Sequence, residues 1–118
     1  MHAPDRRFKL PRMATHPIDR LFERVASRKG ADPATSYTAK LLSEGRLKCA
    51  KKFGEEAVEA SLAAVAQDRA ALANESADVL YHLAVLWAAC ELSPEDVYTI
   101  LSQRESQSGL AEKASRKS

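Results

Sequence analysis

The sequence predicts an all-α fold, a bundle of about four to five helices completed by homo-oligomerisation. Three observations predict it. Apolar residues recur at helical spacing along most of the chain. Capping residues and glycines punctuate those stretches. No segment alternates convincingly between apolar and polar residues, so no sheet is expected.

The first helix is expected near Pro17, since proline is favoured at the first helical position. Ile18, Leu21, Phe22 and Val25 then form one apolar stripe. Gly30, Asp32 and Pro33 make a loop. A short helix over 36–44 follows, with Gly45 at its C-terminal end. A long helix over 46–68 carries Leu47, Ala50, Ala57, Val58, Ser61, Leu62 and Val65 on one face, and a glycine, Gly54, that suggests close approach of a backbone or ligand. The next helix, over 69–92, is apolar almost all round from Val79 to Trp87. Such a helix needs cover on every side, which five helices of one chain are too few to give completely; this is the ground for expecting a dimer-based homo-oligomer built partly on it. Ser93-Pro94-Glu95-Asp96 is the clearest cap in the chain and starts the last helix, with Val97, Ile100 and Leu101 as its inner face.

Composition narrows the function. The 118 residues suit one domain, and a net charge of +2 argues against a nucleic-acid binder. Cys49 and Cys90 form no CxxC, so neither a disulfide framework nor a zinc site is expected, and both thiols should pack as small apolar residues in a reducing compartment. No apolar run is long enough for a membrane span, and the first residues lack the apolar core of a secretory signal, so a cytoplasmic location is expected. Residues 1–15 read as a disordered N-terminal arm, 16–107 as the helical domain and 108–118 as a basic tail.

The informative residues are acids. Glu55, Glu56 and Glu59 lie on one helix, Glu75 and Asp78 on the next. Residues three or four apart share a helix side, so Glu56 with Glu59 and Glu75 with Asp78 form two carboxylate pairs. A short connection makes the helices antiparallel neighbours, which lets the pairs converge. Two like charges about 5 Å apart repel by roughly 3 kcal/mol at an effective dielectric of about 20. Convergence therefore calls for a cation, and oxygen ligands beside phosphate chemistry call for Mg²⁺. The same acids also suit a solvated surface, with Lys52 pairing to Glu56. His82 shares the side of Asp78 and reads either as a hydrogen-bonded core residue or as a partner behind the metal ligands. Lys48, Lys51 and Lys52 read either as a solvated face or as cations for a polyphosphate.

Four blocks resemble the phosphoribosyl-ATP pyrophosphohydrolase family of histidine biosynthesis. They are Ser36-Tyr-Thr-Ala-Lys-Leu-Leu, Lys51-Lys-Phe-Gly-Glu-Glu-Ala-Val-Glu59, Glu75-Ser-Ala-Asp-Val-Leu-Tyr-His82 and Ser108-Gly-Leu-Ala-Glu-Lys-Ala-Ser-Arg116. The acidic elements are also similar to those of the wider MazG-like all-α nucleotide pyrophosphohydrolases. Phe53 and Ser76 depart from the expected pattern without touching the acids. The resemblance implies hydrolysis of phosphoribosyl-ATP to phosphoribosyl-AMP and pyrophosphate. It implies Mg²⁺ on Glu56, Glu59, Glu75 and Asp78, with Glu55 or Glu56 positioning water or taking its proton. Lys51 and Lys52 would face the leaving pyrophosphate, and Tyr37, Lys40, Lys113 and Arg116 the substrate's second ribose phosphate. No nucleic-acid or membrane partner is expected. Two rival readings share these residues: a house-cleaning nucleoside triphosphate pyrophosphohydrolase, and a non-enzymatic helical dimerisation module.

Overall fold

The computed structural model describes residues 16–107 and residue 116, and among them every regular element is a helix. The expected arm over 1–15 and most of the tail over 108–118, Lys113 included, lie outside the described residues. The order is α1 (Pro17–Ser27), α2 (Tyr37–Glu44), α3 (Arg46–Val65), α4 (Arg69–Ala89) and α5 (Pro94–Glu105).

Four of the five helix starts are set by a local donor–acceptor match, and that of α3 by a glycine. The His16 ring nitrogen accepts from the Ile18 amide at 3.1 Å and opens α1. Asp32 closes a turn by accepting from the Ala34 amide at 2.9 Å, and Ser36 then caps α2 through the Ala39 amide at 3.1 Å. Gly45 is the junction of α2 and α3. Its φ of +96° and ψ of 175° belong to a region that side chains with a Cβ avoid, so glycine is needed there. Asp68 caps α4 through the Ala71 amide at 3.0 Å. Ser93 and Asp96 complete the expected capping box of α5.

Two helices end earlier than their apolar patterns suggest. Helix α3 stops at Val65 and α4 at Ala89, where the sequence led us to expect 68 and 92. Both close in the same way. Gln67 and Glu91 each take a φ of +60°. The Asp68 amide reaches the Ala63 carbonyl at 3.2 Å, and the Leu92 amide reaches the Trp87 carbonyl at 2.9 Å. These are Schellman closures. Their left-handed position is usually glycine, and here it is Gln or Glu, so the sequence carries no stop signal.

The central unit is the antiparallel α3/α4 hairpin, with α1 and α2 packed on it and α5 resting on α1. The core lies at the hairpin end away from the α3–α4 turn. Val25 of α1, Leu41 of α2, Cys49 of α3 and Ala84, Val85 and Ala88 of α4 are buried together. Leu21, Phe22, Leu42, Tyr81, Leu86 and Ala89 pack against them. Tyr98 of α5 donates from its hydroxyl to Asp19 of α1 at 2.9 Å.

The structure corrects several expectations and adds to others. The apolar face of α3 is not turned into this chain: Leu47, Val58, Leu62 and Val65 are 85, 58, 61 and 82% exposed. Ile100 and Leu101 of α5 are likewise about half exposed, at 48 and 53%. A Cβ at Gly54 would meet nothing within 4 Å among the described residues, so no neighbouring helix of those residues approaches it. Cys49 is buried and its thiol points to the Leu41 carbonyl at 3.3 Å, but Cys90 is exposed at the end of α4. The apolar helix α4 is covered better than expected because three helices pack on it; Leu80 is its large apolar residue left open, at 41%.

Candidate metal centre

The hairpin turns about Gln67, and this sets which residues of α3 and α4 face each other. Moving away from the turn, Glu59 lies by Glu75, Glu56 by Asp78 and Lys52 by His82, and Cys49 joins Val85 in the core. The positions nearest the turn are acidic and the last is the core.

Carboxylate oxygens of Glu56, Glu75 and Asp78 lie within 4.8 Å of one another. An octahedral Mg²⁺ with bonds of about 2.1 Å places opposite ligand oxygens about 4.2 Å apart. Rotation of the carboxylates about their side-chain bonds covers the difference, so the donor set fits a hard divalent cation. Glu56 and Glu75 are half-buried and Asp78 is exposed, which leaves one side of the cluster open to a ligand.

The acids feel one another. Glu75 is raised above the usual carboxylate range, first by desolvation and then by the charges of Glu59, Asp78 and Glu56. Glu59 thus acts on Glu75 although it lies outside the three-oxygen cluster. Concentrated negative charge of this kind is what a bound cation relieves.

Below the acids, Lys52 pairs with Glu55 at 3.2 Å, one turn along α3. Lys52 is held above the usual lysine range, first by that hydrogen bond and then by Tyr37 and the Glu55 charge. The alternative pairing of Lys52 with Glu56 is therefore not the one adopted, and Glu56 stays with Glu75 and Asp78.

His82 is 6% exposed, and its Nδ1 has no hydrogen-bond partner. Its ring meets Tyr81 edge to face at 4.9 Å and Tyr37 at 6.4 Å. Burial lowers its pKa from the ordinary histidine value, against the pull of Glu56. The Tyr81 hydroxyl is hydrogen-bonded to the Thr38 hydroxyl, which ties α2 to α4 beside this ring. Sequence reasoning did not single out Thr38 or Tyr81. They are far apart in the chain and only the packing of α2 on α4 joins them.

The remaining expected substrate residues fall on the outside. Tyr37 is 53% exposed at the start of α2, next to Lys52 and His82. Lys40 is exposed and pairs with Glu44 of its own helix at 3.6 Å. Lys51 and Arg116 are exposed. A separate groove of about 380 Å³, lined by Asp19, Phe22, Glu23, Pro94, Glu95 and Tyr98, is formed by α1 and α5 and contains none of the clustered acids.

An all-helical chain whose central hairpin gathers acids from two helices is consistent with the MazG-like class of nucleotide pyrophosphohydrolases. Comparison with known proteins narrows this. The model of the phosphoribosyl-ATP pyrophosphohydrolase family matches residues 18–105. A phosphoribosyl-ATP pyrophosphatase of Azospirillum brasilense is 59% identical over 101 residues, covering 86% of this chain and 91% of the relative. That of Paracoccus denitrificans is 59% identical over 104 residues, covering 86 and 96%. That of Gluconobacter oxydans is 54% identical over 99 residues, covering 84 and 74%. The chain belongs to the phosphoribosyl-ATP pyrophosphohydrolase family.

Proposed function

We propose that this protein hydrolyses phosphoribosyl-ATP to phosphoribosyl-AMP and pyrophosphate in L-histidine biosynthesis, using Mg²⁺ held by Glu56, Glu75 and Asp78 with Glu59 beside them. The observation that carries the reading is the convergence of three carboxylate oxygens from two helices within 4.8 Å, in a chain of this family.

When bound, Mg²⁺ supplies charge neutralisation to the phosphate oxygens. The protein's own groups supply the rest. Water adds to phosphorus as the anhydride bond between the α- and β-phosphates breaks, and its proton must be taken up. Glu56 is committed to the cluster, and we assign that proton to Glu55, which lies outside it beside Lys52. Lys52 and Lys51 carry positive charge to the departing pyrophosphate. For Lys52 to do so, its pair with Glu55 must open, which frees the base as the phosphate arrives. Tyr37 and Lys40, on successive turns of α2, face the rest of the substrate together with Lys113 and Arg116 of the tail.

A second copy of the chain completes the fold in this reading. Val58, Leu62 and Val65 form an exposed stripe at helical spacing on α3, and Gly54 extends it with open space for another backbone. No helix among the described residues is long and apolar enough to cross a membrane, and we place the enzyme in the cytoplasm.

The test is pyrophosphate release with Mg²⁺ from phosphoribosyl-ATP, ATP and a panel of deoxynucleoside triphosphates. Release from phosphoribosyl-ATP far above the others is expected. Preference for a simple triphosphate would move the protein to a house-cleaning role, and release from none would leave a binding module.

A further inference from the structure

His82 stands between two environments. One turn towards the hairpin turn lies Asp78, and the next turn beyond His82 enters the core at Val85. Across the hairpin are Lys52 and Glu56 of α3, and Tyr37 of α2 and Tyr81 of its own helix hold the ring at its edges. The charged groups facing it are Glu56, Asp78, Glu55 and Lys52.

A buried imidazole in the neutral form has one proton and two nitrogens. Here Nδ1 is sealed from solvent and meets no acceptor. A proton on Nδ1 would be a buried donor with nothing to receive it, and a lone pair there is the cheaper orphan. The proton therefore belongs on Nε2. That leaves the ring with a single donor, and Glu56 is the neighbouring charge that acts on the ring most strongly.

We propose that His82 is a positioning residue for the metal centre: its Nε2–H, directly or through one water, holds the Glu56 carboxylate so that the other Glu56 oxygen is presented to the cation. Tyr81 and Tyr37 fix the ring, and the Thr38–Tyr81 hydrogen bond fixes Tyr81. The chain of contacts thus runs from α2, which carries Tyr37 and Lys40, to a ligand on α3. Partners behind ligands that fix orientation commonly change metal affinity by 10–100-fold when removed. This inference rests on the reading of Glu56, Glu75 and Asp78 as metal ligands.

The experiment measures Mn²⁺ binding by electron paramagnetic resonance for the wild type, His82→Gln, His82→Asn and His82→Phe. Glutamine places its amide nitrogen near the position of Nε2, asparagine near that of Nδ1, and phenylalanine keeps the ring without a donor. Weakening of about tenfold or more in the Phe and Asn variants, with Gln within about threefold of wild type, is expected. Equal binding by wild type and His82→Phe would reduce His82 to core filling and overturn the proposal. A wild type that binds no Mn²⁺ would overturn the metal reading itself, and the proposal with it. A second measurement needs no variant to fold: the ring ¹⁵N spectrum of the wild type should show His82 protonated at Nε2 and bare at Nδ1. Protonation at Nδ1 would overturn the proposal.

Discussion

The two ends of one hairpin behave as different materials. Near the α3–α4 turn, the facing positions are Glu56, Glu59, Glu75 and Asp78. At the far end they are Cys49 and Val85, both with no exposure, joined by Val25 and Leu41. The helices are the same and run continuously through both ends. What changes is the third layer. Helices α1 and α2 cover the far end and exclude water, whereas the acidic end has charge where a core would otherwise be. In the proposed function, stability and chemistry are thus separated along one pair of helices, with Lys52 and His82 between them.

The comparison breaks most sharply by exchanging charge for amide at the acidic end. Glu75→Gln should lower kcat by about 10²–10³-fold or more, since a cation ligand acts directly on the developing charge. Its folding should be unharmed, because a carboxylate already repelled by Glu59, Asp78 and Glu56 is lost. Activity assays beside thermal denaturation check both halves. At the far end the pattern reverses. Leu41→Ala should cost about 2–5 kcal/mol of stability by urea denaturation, with the remaining folded protein still active. Ser93→Ala removes the capping box of α5 and should cost about 1 kcal/mol.

The pH response sharpens the same contrast. Glu75 binds its proton more tightly folded than unfolded. Ionisation of Glu75 therefore destabilises the metal-free fold, and its contribution improves as pH falls from neutral towards the ordinary carboxylate value of 4.5. His82 runs the other way. Its proton is held less tightly folded than unfolded, so its contribution worsens as pH falls through 6.5. Comparing the metal-free wild type with Glu75→Gln over this range should show the Glu75 gain disappear. The smallest effect is expected on the open stripe of α3. Val65→Ser should change monomer stability by less than about 0.5 kcal/mol, while analytical ultracentrifugation should show weaker self-association.

Much of this was legible in the sequence, for reasons that differ by residue. Helix starts were visible because Ser36, Ser93 and Pro94 announce them chemically. The ends of α3 and α4 were not, because Gln67 and Glu91 take a glycine's conformation without being glycine. The acids were found because three- and four-residue spacing fixes a helix side. Which acids meet was not, since that depends on how the two helices face each other and on side-chain rotamers; Glu59 acts on Glu75 yet lies outside the tight cluster. The apolar face of α3 was correctly seen as a face, but spacing cannot say whether a stripe is covered by its own chain. The Lys52–Glu55 pair and the Thr38–Tyr81 bond likewise depend on rotamers and packing that no pattern encodes.

The central claim is that carboxylates from both helices hold the cation that drives hydrolysis. The most direct measurement is pyrophosphate release from phosphoribosyl-ATP by Glu56→Gln and Asp78→Asn over a full Mg²⁺ titration, with circular dichroism on the same samples. Loss of turnover in both, at every Mg²⁺ concentration and with helical content intact, is the predicted result. Wild-type turnover in either variant at saturating Mg²⁺ would contradict it.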